Sequence, residues 1–415
     1  MKNSTLKPPG KIVFSALFIG FFAYTILYAA GNLLKNNALN FVGAACFFAI
    51  VLLSNIRRIR SSFRLDKITM MGLIMIIFPS LLTCYGLFTD DWAVDARDFF
   101  KHVGLVLFFL LFRTLQIPPP YLFPNRYKYI YVFTLVIVIS FIMPESQVLE
   151  DSRLSGFGVN PNSFILSILP LLFFISPNDK KLKMLCHFSV IIALFKSKTL
   201  GAILGYVAGL LYLTVMSFRK INKVYKKKRM RVLASGLFVV ALVLCYIQVS
   251  DNTVSVRVRN QLELFEASGY DALRGVRLDY GYLVQKYGTS SGLSGIWRLS
   301  HWSQIMTGIQ QSSLFHQLCG QGFRYSDIRY GNMPHNEYLR YFLEQGALGL
   351  FLLILLFTHI YKSVPHNIRY IYVMFFVFNF TENNISNLYA VTLFMLAASS
   401  SEGNSHKKRL ELKVN

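Results

Sequence analysis

Apolar runs of about 15–20 residues recur along most of the chain, separated by short polar segments. They predict helices near residues 12–30, 38–54, 68–88, 98–115, 128–143, 163–176, 183–196, 199–218, 232–249, 347–362, 369–381 and 386–400. No ten-residue alternation of the kind a membrane barrel needs is present. In lipid every backbone group must be bonded internally, so the pattern reads as an all-α polytopic membrane protein with about 12 transmembrane helices. One long polar interval breaks the series. It divides the chain into nine helices with short loops (1–249), a large loop ending in a short helix (250–346), and three last helices with a tail (347–415).

Composition agrees with that reading. Of 415 residues 54% are hydrophobic and 15% charged, with a mean hydropathy of +0.44, whereas soluble domains carry about a quarter charged residues. The net charge of +23 would suit nucleic acid, but its distribution does not. With the N-terminus inside, most Lys and Arg fall in the loops assigned to the inner face, eight of them between 219 and 231. Asp90, Asp91 and the acids from Glu145 to Asp151 fall outside. That is the positive-inside distribution, and it places both termini in the cytoplasm and the 250–346 loop on the outer face. Lys226-Lys227-Lys228-Arg229 then reads as a flank meeting anionic lipid, with no nucleic-acid partner. The basic run at Lys2, Lys7 and Lys11 before the first apolar stretch reads as an uncleaved first helix. Cys46, Cys84, Cys186, Cys245 and Cys319 show no metal spacing and predict no structural disulfide.

The stretch richest in chemistry runs from Pro334 to Gly349. Pro334 suits a first helical position and Gly346 the position just past a helix end, where φ is positive. Those placements put His335 and Asn336 in the first turn, where free N–H groups attract anions and favour a neutral imidazole. An apolar segment, Leu348–Tyr361, follows at once. A histidine there, where chain meets membrane, is a candidate general base.

Other outer-face segments carry cations or irregular backbone. Asp151 to Asn162 holds Arg153, two glycines and Asn160-Pro161-Asn162; it reads either as an anion-facing loop or as a helix-capping turn. Lys196-Ser197-Lys198-Thr199 lies against the inner-face bias. Lys198 reads either as a lysine reaching for headgroups or as one limb of a phosphate clamp, before a helix whose Gly201, Gly205 and Gly209 permit close packing. Lys101 and His102 either snorkel to the interface or line a polar portal. In 250–346, amphipathic pieces (Val254 to Glu266, Trp297 to Gln311) flank a Gly/Ser-rich link (288–295), which fits a lid over a membrane-embedded cavity. Gly320-Gln321-Gly322 follows no strand and reads as a turn.

No phosphate-binding glycine loop, metal-ligand set or paired acid motif is present, and transmembrane acids of the proton-relay type are lacking. What remains is a histidine at a helix start with scattered cations. That suits group transfer from a lipid diphosphate: Arg and Lys offset leaving-group charge in place of a metal, and His335 takes the acceptor's proton.

His335-Asn336, nine residues, then Gly346-x-x-Gly349 resembles the signature of the bacterial O-antigen ligase family, in the superfamily that includes O-antigen polymerases. Arg153-Leu154-Ser155-Gly156 with Asn160-Pro161-Asn162, the Ser197-Lys198 turn, Arg298-x-x-x-Trp302 and Gly320-x-Gly322 accompany it. The resemblance covers most of the chain from about residue 150. It implies a GT-C-like fold and cofactor-free, metal-independent, inverting transfer of a polysaccharide from undecaprenyl diphosphate to the lipid A-core, at the periplasmic side of the bacterial inner membrane. It makes His335 the base with Asn336 beside it, and Arg298 a phosphate contact. Lys198 stands where the family usually has arginine, which loses a bidentate fork, and Leu352 stands where a small or β-branched residue is often found. A repeat-unit polymerase with the same donor is the near alternative, and a lipid-linked-sugar flippase a more distant one.

Overall fold

The computed structural model describes residues 11–63, 65–89, 92–115, 145–148, 151–154, 160–169, 180–220, 230, 234, 253–274, 280–287, 293–364 and 369–395. The predicted helices near 128–143 and 232–249 and the patch at 226–229 lie outside the described residues, as does most of the 288–295 link.

The architecture is all-α apart from one short hairpin. Five helices come first: α1 (Lys11–Leu33), α2 (Asn37–Ser54), α3 (Ile56–Ser62), α4 (Lys67–Gly86) and α5 (Ala96–Leu115). Strands β1 (Glu145–Val148) and β2 (Asp151–Leu154) pair antiparallel, with Glu145 opposite Leu154. Then come α6 (Pro161–Ile168), α7 (Lys180–Ser197), α8 (Leu200–Lys220), α9 (Thr253–Leu273), α10 (Tyr280–Tyr287), α11 (Leu293–Gln311), α12 (Leu314–Cys319) and α13 (Tyr325–Tyr330). The chain closes with α14 (Glu337–Ser363), α15 (Arg369–Phe378), a 3₁₀ turn (Asn384–Ser386) and helical residues 388–395.

Local chemistry sets several boundaries. Asn36 caps α2 by accepting from Ala38 N at 3.0 Å. Asp66 caps α4 through Ile68 N and Thr69 N and also takes Arg113 Nη2 at 2.6 Å, which ties the start of α4 to the end of α5. Among the described residues, Lys67–Gly86 and Glu337–Lys362 are long and apolar enough to cross a membrane; 38–54, 187–197, 200–216 and 369–378 are shorter apolar helices.

The main core is aromatic. Tyr28 stacks on Tyr389 at 4.4 Å and Phe375 packs on Phe394 at 4.2 Å, joining α1 and α15 to the last helix. α8 lies close on α15: a Cβ at Gly205 would stand 2.8 Å from the Met374 carbonyl oxygen, so the predicted small-residue seam is real. A separate small core of Leu264, Ala272, Leu283, Leu293 and Ile296 binds α9, α10 and α11.

α14 is two helices in succession. Gly346 takes φ +67° and ψ −173°, so the first part ends there and the apolar part begins at Ala347. The carbonyls exposed by the break are used: Gln321 N donates to Leu343 O at 3.0 Å and Gly322 N to Glu344 O at 3.1 Å. Gln321 O in turn accepts from Ala93 N at 2.9 Å. Three backbones therefore cross where Gly320, Gly322 and Gly346 all have positive φ, and a Cβ on any of them would strike a neighbouring main chain. The Gly-x-Gly motif is a turn, as its sequence context predicted, and its purpose is close backbone approach.

Candidate active site

His335 does not lie in the first turn of α14. Asn336 is the N-cap: its side chain accepts from Leu339 N at 3.1 Å, and helical geometry starts at Glu337. His335 precedes the cap with φ +50°, a left-handed conformation uncommon for a non-glycine residue. Trp302 Nε1 donates to Pro334 O and pins the other side of the turn. The result is a histidine turned out of the helix, with 38% of its side chain exposed.

Its partner comes from the loop after α15. Glu382 Oε2 lies 3.1 Å from His335 Nδ1, while Oε1 accepts from Arg298 Nη2 at 2.8 Å and from Asn162 Nδ2. Arg298 Nη1 donates to Thr381 O at 2.9 Å. Side chains from three separate segments thus meet on one carboxylate whose side chain is 11% exposed. Burial pushes the Glu382 carboxyl up, but the His335 hydrogen bond and the Arg298 charge outweigh it and hold the group below its ordinary value. The Trp297 ring meets His335 edge to face at 5.9 Å and stacks on His301 at 5.0 Å, forming an aromatic wall along α11.

A second polar cluster lies one turn along α14. Arg340 reaches Glu337 at 3.3 Å, Glu344 at 3.1 Å and Asp98 at 3.6 Å, and Lys101 pairs with Asp98 at 2.9 Å. All but Lys101 are buried. Lys101 and His102 line a small polar pocket with Asp98, Arg340 and Glu344. Lys101 belongs to this network, and His102 has both ring nitrogens engaged, with Tyr341 OH and Met75 O at 2.8 Å each.

Residues 185–354 match a family model described as O-antigen ligase. Residues 185–354 carry a domain of the O-antigen ligase superfamily. Members are membrane-integral, glycosyltransferase-like ligases or polymerases that use lipid-linked polysaccharides. No curated protein matches the chain.

Of the residues the sequence singled out, the structure brings His335 and Arg298 onto one carboxylate. Asn336 is placed beside them, but its side-chain oxygen caps α14. Lys198, at φ +52°, sits in the turn between α7 and α8. That turn approaches the site, since Gly201 at the start of α8 abuts the Thr381 side chain. Arg153 lies in β2, in register with Ser146 and beside α7. Asn160-Pro161-Asn162 does two things: Asn160 caps α6 by accepting from Ser163 N at 2.8 Å, and Asn162 reaches Glu382.

Glu382 itself was missed. It is the sole acid between Glu344 and Glu402, stands between two apolar runs, and falls at an outer end in the charge-based topology. That isolation was the available signal.

Proposed function

We propose that this protein is an O-antigen ligase that transfers a polysaccharide from undecaprenyl diphosphate to lipid A-core at the periplasmic face of the bacterial inner membrane. The observation that carries the reading is His335, half-exposed and backed by a carboxylate that it shares with Arg298, inside a segment of ligase-family sequence. In the reaction the acceptor hydroxyl oxygen bonds to the anomeric carbon of the donor while the carbon–oxygen bond to diphosphate breaks. The electron pair leaves with the lipid diphosphate, and the hydroxyl proton passes to His335 Nε2. Attack opposite the leaving group inverts the anomeric centre.

Cations do the remaining work. A general base contributes about 10²–10⁴-fold, so most of the acceleration falls to positioning and to charge beside the diphosphate. Arg298 is proposed as the nearest such charge, with Lys198 and Arg153 as further donor contacts from the α7–α8 turn and the hairpin. The 250–346 segment is proposed to act as a lid over the membrane-embedded site.

The test uses purified full-length protein with undecaprenyl-diphosphate-linked glycan, rough lipopolysaccharide and EDTA, read as a shift of lipopolysaccharide on a gel. Wild type is expected to transfer and His335→Ala to lose transfer with insertion intact. An active His335→Ala protein removes the base. Extension of lipid-linked units in place of ligation assigns the polymerase reaction instead.

A further inference from the structure

We infer that Glu382 is the positioning residue of the transfer reaction: it fixes His335 in the Nδ1–H tautomer, leaving Nε2 as the proton acceptor, and holds Arg298 in the same grip. The inference rests on His335 acting as the base. It extends that reading to a residue outside the family-matched segment, 47 positions along the chain.

The argument is one of hydrogen-bond capacity. An ionised carboxylate only accepts, so a neutral imidazole 3.1 Å from Glu382 Oε2 through Nδ1 must carry its proton on that nitrogen. The second nitrogen then has a free lone pair, which a base requires. When Nε2 takes a proton from the acceptor, the imidazolium that forms lies against a negative charge. Arg298 and Asn162, both donating to Oε1, keep the carboxylate ionised and its plane fixed. The direction of the Glu382 shift, held low despite burial, agrees with an ionised group.

The loop is built to hold this residue. Glu337 N, the first helical N–H after His335, donates to Asn379 O at 2.8 Å, and Thr381 O takes Arg298. A Cβ at Gly201 would overlap the Thr381 side chain, so α8 closes the loop from behind. Glu382 is not among the residues of the main core.

Glu382→Gln separates charge from shape. The amide can still accept from Arg298 and Asn162, but its NH₂ group faces His335 Nδ1, which must then accept and move its proton to Nε2. The expected result is a fall in kcat of about 10²–10⁴-fold with the KM for undecaprenyl-diphosphate-linked glycan changed by no more than a few-fold. Glu382→Asp keeps the charge in a shorter side chain and is expected to retain more activity than the glutamine variant. A residue needed only for shape gives the reverse order, and that order overturns the proposal. Wild-type kcat and an unmoved pH profile in Glu382→Gln also overturn it. Should the glutamine variant not fold, ¹⁵N-histidine spectra of the wild type, with His335 assigned by its loss in His335→Ala, decide the point. An Nδ1–H tautomer supports the assignment and an Nε2–H tautomer refutes it. Activity in His335→Ala sinks the base itself, whereas an inactive His335→Ala beside a fully active Glu382→Gln sinks this inference alone.

Discussion

Glu337 accepts a hydrogen bond from Ile385 N at 3.0 Å through Oε2, while its own backbone N–H donates to Asn379 O. One residue therefore straps both ends of the loop that carries Glu382 to the start of the helix that follows His335. This double attachment and the His335–Glu382 contact hold the same loop. Glu337 also accepts from Arg340 through its other oxygen, so it is engaged on both sides.

Glu337→Ala is expected to lower both stability and transfer, because Ile385 N loses its acceptor in a buried setting, at about 1–3 kcal/mol. Glu337→Gln keeps an acceptor for Ile385 N and is expected to retain most activity. The check is the apparent melting temperature in detergent alongside kcat. Equal behaviour of the two variants would remove the strap as the cause.

Arg340 lies between Asp98, Glu337 and Glu344, all of them buried. Removing it leaves three carboxylates facing one another with Lys101 as the nearby cation that pairs with Asp98. Breaking a buried pair in this way costs about 3–5 kcal/mol, so Arg340→Met is expected to express poorly or melt far below wild type. Arg340→Met combined with Glu337→Gln and Glu344→Gln should recover part of the loss. Melting curves of the single and triple variants measure it, and a single variant as stable as wild type contradicts the account.

Glu382 also makes stability depend on acid. Its folded carboxyl is held below the ordinary value of 4.5, so its contribution is fully present above that value. It is lost as pH falls through the lower folded value. The gap in melting temperature between wild type and Glu382→Gln is therefore expected to shrink as pH drops below about 4.5. A gap that stays constant or widens on acidification would mean that the ion pair with Arg298 does not contribute.

Much of this was readable in the chain and some was not, for physical reasons. The stop at Gly346, the turn at Gly320-Gln321-Gly322 and the seam through Gly205 follow from local backbone and side-chain size, which a linear sequence carries. The start of α14 was misplaced because two rules compete there: Pro334 suits a first helical position, but Asn336 is a stronger cap and takes Leu339 N. For His102 the chain offered the interface or a portal but no partner, and its partners are a tyrosine 239 positions away and the backbone of α4. Glu337, Arg340 and Glu344 share one helix face, and only the packing of α5 against it, through Asp98, shows that the face is buried. Glu382 was invisible as a partner of His335 for the same reason.

The crossing beneath the site gives a final prediction. Gly346 and Gly331 both have positive φ, +67° and +78°, but their surroundings differ. A Cβ at Gly346 would strike the Leu318 carbonyl oxygen, whereas one at Gly331 meets nothing within 4 Å. Alanine at Gly331 should thus suffer only the left-handed backbone penalty, about 1 kcal/mol. Alanine at Gly346 meets a φ/ψ pair, +67° and −173°, that is essentially closed to L residues, and adds a main-chain overlap that no side-chain rotation relieves, so it must shift α12 or the Gly320 turn. Because Gln321 and Gly322 bind the last carbonyls before the break, that shift is transmitted to the end of the helix that begins beside His335. Gly346→Ala is expected to melt well below Gly331→Ala and to lose transfer, while Gly331→Ala keeps it. Matched melting temperatures for the two variants would show that the backbone at 346 relaxes freely and that the crossing does not require glycine there.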